Sequence, residues 1–444
     1  MKRFPDTLVI MLGGILLAWI FTYIIPSGVF ARITDPETGN TQVVAGSYKQ
    51  IEADAPGVFD LLLAIPEGII ARADLIVLIL LIGGSFYVIE KTGALGQGLQ
   101  RVVDLLKGRE VMALVLVSLL FAAAGATIGL QEEIIALAPI LILFARSMGY
   151  DAFAALGISY GSAVLGAAFS PINPFAVVIA QEAAELPLLS GSGFRLVVLG
   201  LAFVLWTGAM VRYARKNRVP KKAIETEGNR LTPGSILILC LLVATFVWVT
   251  YGMLQWGWYF NELSAAFFGL GIVAGLVGKL GLNGTGRAFA AGFREMIFAG
   301  VVIGLAQSIT ILLENGKVID SVVYGLFTPL QDLPQGISAL GIYGAQALLH
   351  FPVPSYSGQA VLTLPILTPL SDLIGISRQT CVLAYQYGAV NMDLIVPTNG
   401  ALMGILAVAG ISYDKWIRFI WKPVLLLFAL GGAAIITAIQ IGYA

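Results

Sequence analysis

Two stretches of the sequence, residues 166–175 and 393–400, place prolines inside otherwise apolar segments. A proline lacks a backbone N–H and breaks helical hydrogen bonding, so nearby carbonyls lose their partners. In a hydrocarbon environment these carbonyls must find protein, water or an ion. We therefore expect two broken helices that bind a substrate or an ion, although proline kinks that only shape packing are the simpler alternative. The side chains that could supply ligands at the breaks are Ser170, Asn173, Thr398 and Asn399.

Asp393 is the sharpest single candidate. It lies four positions before Pro397 in an apolar run, where a charge is unfavourable unless it is paired, protonated or facing a cavity. A proton-coupling acid, a cation ligand and a structural partner of a buried donor all remain open.

Two further polar turns, residues 129–133 and 354–359, each precede an apolar segment with a central proline. Backbone amides and hydroxyls at the start of a re-entrant helix form an anion site, because the positive end of the helix dipole faces the ligand. The candidates there are Ser355, Ser357 and Gln359. Glu132 and Glu133 do not suit an anion; they could cap the helix, hold a proton, meet a cationic part of the substrate, or lie in a solvated surface turn.

Composition defines the class of protein that must position these residues. The 444 residues are 58% hydrophobic and 12% charged, with a mean hydropathy of +0.89, whereas soluble domains are about 25% charged. Several segments reach the length of about 20 apolar residues that a bilayer crossing needs. We predict an all-α polytopic membrane protein with about 10–11 transmembrane helices.

The same composition excludes several functions. Lys plus Arg (26) equals Asp plus Glu (26), so no basic surplus exists for nucleic acid. A single histidine, His350, and two distant cysteines argue against histidine-rich metal sites and His-dependent hydrolases, and we interpret His350 as a packing or capping residue. The same residue counts make intramembrane catalysis unfavourable, and we expect no enzyme. No ATP-binding motif is present, so any driving force must be an ion gradient or exchange, and we expect no cofactor beyond Na⁺ or H⁺.

The chain shows signs of an internal duplication. A shift of 226 residues places Pro171 on Pro397 and Asn173 on Asn399, and a basic loop at 212–222 marks the midpoint and the cytoplasmic side. Our count of crossings gives both halves the same orientation unless a segment in 27–72 or 257–296 is missed or re-entrant. The predicted divisions are a first repeat (1–214, with hairpin 129–150 and broken helix 152–186), a linker (215–231) and a second repeat (232–444, with hairpin 353–376 and broken helix 378–410).

These motifs resemble the YfcC-type carriers, which are grouped with anaerobic C4-dicarboxylate carriers and arginine/ornithine antiporters in the ion-transporter superfamily. The resemblance covers essentially the whole chain. It rests on the blocks at residues 132–133, 149–151, 170–181, 357–365 and 397–400. The sequence departs from the family pattern at Pro171, where a Thr is expected, at Asn399, where a Ser is usual, and at Asp393, where relatives tend to carry Asn. These departures weaken the case for sodium at the first break and favour a proton or a cationic substrate at the second.

The resemblance implies a homodimeric transporter of the bacterial inner membrane, with two inverted repeats and elevator-like alternating access. By this resemblance, the hairpin tips and breaks would contact the substrate, and Na⁺ is a candidate coupling ion there. We therefore expect an ion-coupled carrier or exchanger of an amino acid or a C4-dicarboxylate, with a channel as the alternative. The substrate candidates are Glu132, Glu133, Asn173, Ser355, Ser357, Gln359, Thr398 and Asn399, and the ion-coupling candidates are Ser170, Asn173, Asp393 and Thr398.

Overall fold

The computed structural model describes residues 7–34, 41–106, 108–221 and 231–443, and nearly all of its regular structure is helical. The helices of the first half are α1 (Thr7–Ile24), α2 (Val58–Ala71), α3 (Ala73–Lys91), α4 (Ala94–Leu105), α5 (Glu110–Ile128), α6 (Ile134–Ser147), α7 (Ala152–Ile158), α8 (Tyr160–Ala168), α9 (Ile179–Ala183) and α10 (Ser192–Lys216). Those of the second half are α11 (Pro233–Trp256), α12 (Phe260–Val277), α13 (Gly281–Asn315), α14 (Ile319–Phe327), α15 (Gln335–Leu349), α16 (Tyr356–Leu373), α17 (Arg378–Asn391), α18 (Gly400–Ala409) and α19 (Tyr413–Gln440).

Four short strands lie in the loop between α1 and α2, which the sequence predicted only as turn-rich. Strand β1 (Gly28–Val29) pairs antiparallel with β4 (Lys49–Gln50), and β2 (Arg32–Thr34) pairs antiparallel with β3 (Thr41–Val43). Arg32 joins this ribbon to α14 through a two-pronged ion pair with Asp320, at 2.8 and 2.9 Å.

Eight helices of the described residues are long and apolar enough to cross a membrane: α1, α3, α5, α10, α11, α12, α13 and α19. The polytopic, helical fold class is confirmed. The sequence count of 10–11 is higher because it also included two broken helices, whose pieces are each short, and α15, which has 15 residues.

The structure resolves the orientation of the two halves. Gly68 of α2 lies against Ser308 of α13, whereas Gly84 of α3 lies against Gly292. The residue number in α13 falls as that in α2–α3 rises, so these elements are antiparallel. Helices α2–α3 precede the turn at Gly93 in the first half, and α13 precedes the turn at Gly316 in the second half. These elements therefore occupy matching positions in the two repeats, and because they run antiparallel the repeats are inverted. The helix absent from the count of crossings is α2, which lies within residues 27–72, one of the two regions where a missed segment is expected.

Helices α5 and α6 form a hairpin that enters from the basic end of the molecule. Glu110 at the start of α5 forms an ion pair with Lys221 at 2.9 Å, and Val219 N–H donates to the carbonyl of Gly149, just after α6, at 3.1 Å. Both ends of the hairpin therefore lie beside the basic loop, and its turn, residues 129–133, lies inside the protein.

Helices α15 and α16 form the second hairpin, which enters from the opposite end. The Gln335 side chain at the start of α15 donates to the carbonyl of Gly375, just after α16. Arg378 then contacts the carbonyl of Ala184 at 3.3 Å, where the first broken helix ends. Because that helix begins at the basic end, the base of the second hairpin lies at the other end.

These contacts correct the hairpin bounds predicted from sequence. Residues 134–147 and 356–373 are each one continuous helix despite the prolines inside them, so neither 129–150 nor 353–376 is a hairpin by itself. The first arms are α5 and α15, which the sequence assigned as crossings. A long apolar helix has the same composition whether it crosses the bilayer or turns back, and only its contacts distinguish the two. The repeat boundary in 215–231 stays a prediction, and residues 222–230 lie outside the described residues.

Candidate functional site

A cavity of about 110 Å³ lies where the two hairpin turns meet the second helix break. Hairpin 1, formed by α5 and α6, contributes residues 129 and 131–133. Hairpin 2, formed by α15 and α16, contributes residues 354–357, and the second break contributes Asp393 and residues 398–401. Helices α3 and α11–α13 close the other side, and Arg72, between α2 and α3, Tyr259 and Gln307 are among the lining residues.

Most of the residues predicted from sequence meet at this cavity. Those that line it are Glu132, Glu133, Ser355, Ser357, Asp393, Thr398 and Asn399. Ser170, Asn173 and Gln359 do not line it and are fully buried. The structure gives the polar atoms of these three side chains protein partners, and their direct contact with a ligand stays a prediction.

At the first break, Asn173 and Ser170 hold the backbone together. Asn173 Oδ1 accepts from the N–H groups of Phe175 and Ala176 at 2.9 and 2.8 Å, and its Nδ2 donates to the carbonyl of Gly125 in hairpin 1 at 2.7 Å. Ser170 donates to the carbonyl of Ala126 at 2.6 Å. Both side chains fasten the break to α5, because a helix start needs acceptors for its free N–H groups.

Four carbonyls at the breaks accept hydrogen bonds from protein side chains. Gln386 Nε2 donates to the carbonyls of Ala167 and Ser170 in the first break. In the second break, Tyr160 donates to Asp393 O at 2.9 Å and Trp416 donates to Leu394 O at 2.9 Å. A sodium ion bound to these carbonyls would have to displace those donors.

His350, which the sequence indicates as a packing or capping residue, does not line the cavity but contacts the lining residue Asp393. Its Nε2 lies 2.8 Å from Oδ1 of Asp393, and its Nδ1 lies 2.9 Å from Oε1 of Gln359. Asn399 Nδ2 also donates to Asp393 Oδ1. The other carboxylate oxygen, Oδ2, is buried and has no hydrogen-bond partner among the described residues. The position of His350, just before the second hairpin turn, is the one signal in the sequence that could indicate its role.

The cavity combines both signs of charge. Arg72 donates to Gln307 at 2.9 Å and has no acidic side chain within the 4.0 Å ion-pair limit in the described chain. Asp393 and Glu132 line the same cavity as Arg72. Glu133 accepts from the N–H of Gln131 at 3.3 Å.

Three helix N-termini also meet the cavity. Glu133, Ser355 and Asn399 are the N-cap residues of α6, α16 and α18, and all three line it. Each N-terminus carries a partial positive charge and favours an anionic group. The arrangement can therefore bind a carboxylate at the helix ends and Arg72, and a cation at the two acids Glu132 and Asp393.

Comparisons with known proteins agree with a carrier. The sequence profile of the family described as "DcuC: C4-dicarboxylate anaerobic carrier" matches residues 4–440. An Escherichia coli protein named "Putative basic amino acid antiporter YfcC" is 29% identical, over 99% of this chain and 97% of the relative. An uncharacterised Haemophilus influenzae protein is also 29% identical, with the same coverage.

Two solved transporter structures cover nearly the whole chain. The Alcanivorax borkumensis YdaH transporter is 16% identical with a TM-score of 0.46, covering 99% of each chain. Neisseria gonorrhoeae MtrF, described as illuminating a class of antimetabolite efflux pumps, is 14% identical with a TM-score of 0.44, covering 98% of this chain and 95% of its own.

Proposed function

The chain belongs to the C4-dicarboxylate anaerobic carrier family, and from this premise we propose that it is a proton-coupled transporter or exchanger of an amino acid with a cationic side chain. Membership makes it a membrane transport protein rather than an enzyme. The substrate, the coupling ion and the mechanism are the parts that we propose.

The observation that carries the substrate class is the pairing of charges in the cavity. Arg72 and three helix N-termini suit an α-carboxylate, whereas Glu132 and Asp393 suit an ammonium or guanidinium group. A charged side chain without a partner in the membrane is unfavourable. The positive and negative groups of the cavity therefore support a ligand that carries both a carboxylate and a cationic group. The name of the Escherichia coli relative, a putative basic amino acid antiporter, is consistent with this substrate class.

A C4-dicarboxylate is the second candidate, favoured by the family description. It would bring two further negative charges to a cavity that already holds Glu132, Glu133 and Asp393 against one arginine. Binding it would require protons on these acids, since like charges close together repel. The amino acid needs no such change.

Protons are the proposed coupling ion. Four of the break carbonyls, which would be natural sodium ligands, are bonded to protein donors. Asp393 lines the cavity, and its Oδ2 has no hydrogen-bond partner among the described residues.

We expect elevator-like movement of a core of hairpins and broken helices against the outer helices. Residues 379–391 of α17 are all buried, which suits a helix of the core. In the apolar stretch of α11 only 17% of the residues are buried, which suits an outer helix. Ligand binding between the two hairpin turns would bring them together and permit the core to move as a body. A homodimer in the bacterial inner membrane completes the proposal.

The test is thermal unfolding of the purified protein with candidate ligands, because a ligand that binds only the folded state raises its stability by mass action. L-Arginine, L-ornithine and L-lysine should raise the midpoint, whereas succinate and fumarate at equal ionic strength should not. Stabilisation by the dicarboxylates alone would overturn the proposed substrate class.

A second measurement separates a carrier from a channel, the alternative from another class. Proteoliposomes loaded with unlabelled L-arginine should take up labelled L-arginine faster than empty ones, and the uptake should saturate. A flux that rises linearly with concentration and ignores internal substrate would favour a channel.

A further inference from the structure

The chain's single histidine is built into a chain of hydrogen bonds that leads to the cavity. His350 follows α15, Gln359 lies on α16, and Asp393 lies in the second break. All three side chains are buried. The contacts between them connect hairpin 2 to the second broken helix.

Gln359 fixes which nitrogen of the His350 ring carries a proton. The Gln359 Nε2 donates to the backbone oxygen of Gln346 at 2.7 Å and also to the Gln346 Oε1. Its own Oε1 therefore turns towards His350 Nδ1, 2.9 Å away. An amide oxygen can only accept a hydrogen bond, so Nδ1 must donate.

The amide of Gln346 is in turn oriented by Thr363. Gln346 Nε2 donates to Thr363 Oγ1 at 2.8 Å, and the hydroxyl proton of Thr363 is given to the backbone oxygen of Gln359 at 2.8 Å. The hydroxyl can then only accept from Gln346, which leaves the Gln346 Oε1 facing Gln359. The network thus has one consistent direction, and reversing the His350 tautomer would require amide flips that each lose a bond.

With a proton fixed on Nδ1, a neutral His350 presents a lone pair at Nε2. That atom lies 2.8 Å from Oδ1 of Asp393, and two acceptors at this distance repel one another. One further proton must therefore lie between them, either as imidazolium and carboxylate or as imidazole and carboxylic acid. Asn399 does not provide it, because its Oδ1 accepts from Leu402 N–H at 2.8 Å and its amide donates to the same carboxylate oxygen.

We infer that His350 and Asp393 together form the binding site of the coupling proton, and that a cationic substrate competes with this proton. The protonated pair is neutral, and the deprotonated pair carries one negative charge. Asp393 lines the cavity, and its Oδ2 has no hydrogen-bond partner among the described residues. A cation bound beside Asp393 therefore favours loss of the proton, and the proton weakens cation binding by the same factor. The competition rests on the proposed function, whereas the shared proton rests on the geometry alone.

Loss of the proton also changes the structure. The His350–Asp393 contact would then join two acceptors and must lengthen, which loosens hairpin 2 from the second broken helix. Exchange of a proton for a cationic substrate thereby becomes linked to the contact that holds the second hairpin against the core.

Other ionisable groups face the same pair and must be distinguished from it. They are Glu132 and Glu133 on the turn of hairpin 1, Arg72 between α2 and α3, Tyr160 on α8, Tyr259 before α12, Tyr356 on α16 and Tyr385 on α17. Tyr160 and Tyr385 already donate to backbone carbonyls. Glu132 is the main competitor, since it is an acid that lines the same cavity.

The first test is the ¹⁵N spectrum of the intact protein labelled at histidine and purified with a tag that contains none. Because His350 is the only histidine, each signal reports this ring alone. We expect Nδ1 to be protonated at every pH and Nε2 to lose its proton as pH rises or as L-arginine is added. A neutral form protonated at Nε2 would overturn the inference.

The second test measures protons released when L-arginine binds in a weakly buffered solution. The wild type and Glu90→Gln, a change of an exposed acid on α3, should each release up to one proton per chain. The apparent Kd of both should rise by about tenfold per pH unit on the acid side. His350→Gln should release none and lose most of this pH dependence.

Two results would contradict the inference. Unchanged release by His350→Gln would show that the proton lies elsewhere, and loss of release only in Glu132→Gln would place it on the first hairpin. If the ring shows the expected tautomer but responds to succinate rather than to L-arginine, the proton site stands and the proposed substrate fails.

Discussion

Replacing Asn173 by alanine separates a structural role from a substrate contact. The Asn173 side chain makes three hydrogen bonds to the backbone, two to N–H groups of its own helix start and one to Gly125 of hairpin 1. Each is worth about 0.5–1.5 kcal/mol net. Their loss should lower the free energy of unfolding by roughly 2–4 kcal/mol, which includes the loss of the helix cap.

The assay is the thermal midpoint in detergent, followed by L-arginine uptake normalised to folded protein. Asn217→Ala is the matched control, because the exposed Asn217 donates only to the carbonyl of Tyr213, and its loss should change stability by less than about 0.5 kcal/mol. Asn173→Ala should melt clearly below both the wild type and this control. An unchanged midpoint together with abolished uptake would refute the structural role and return Asn173 to the substrate site.

The remaining predictions concern packing, charge and the coupling ion. Gly125→Ala should lower the thermal midpoint because its Cβ would overlap the carbonyl oxygen of Ala163. Gly200→Ala should not, because nothing lies within 4 Å of the added Cβ. Equal midpoints of the two variants would contradict the packing. Arg72→Gln should raise the apparent Kd for L-arginine by about tenfold or more through loss of a charged partner for the carboxylate, and the exposed Arg101→Gln should leave it unchanged. Replacing Na⁺ by choline at constant ionic strength should leave uptake unchanged, and strict dependence on Na⁺ would refute proton coupling.

The sequence identified the features that local chemistry determines. Two prolines three residues apart, or a proline followed by a glycine, indicate a helix break within an apolar segment, so both breaks could be located. The turns at 129–133 and 354–359 indicate the start of a re-entrant helix through their glycine, serine and proline residues. Asp393 could be singled out because an acid in an apolar run needs a partner. The two turns, Asp393 and the second break meet in one cavity.

Features that depend on long-range contacts could not be predicted. Arg72 reaches the cavity only because α2–α3 packs antiparallel to α13, where Gln307 holds its side chain. His350 lies 43 residues before Asp393, its partner. Asn173 has the residue type of a ligand, but the neighbouring α5 engages its side chain.

The direct test of the central claim, a cavity for one ligand with both a carboxylate and a cationic group, is counterflow in proteoliposomes loaded with L-arginine. Labelled L-arginine and labelled succinate are each offered outside at equal concentration. We predict saturable accumulation of L-arginine, absent from Glu132→Gln vesicles, and no accumulation of succinate. Accumulation of succinate with none of L-arginine would contradict the account.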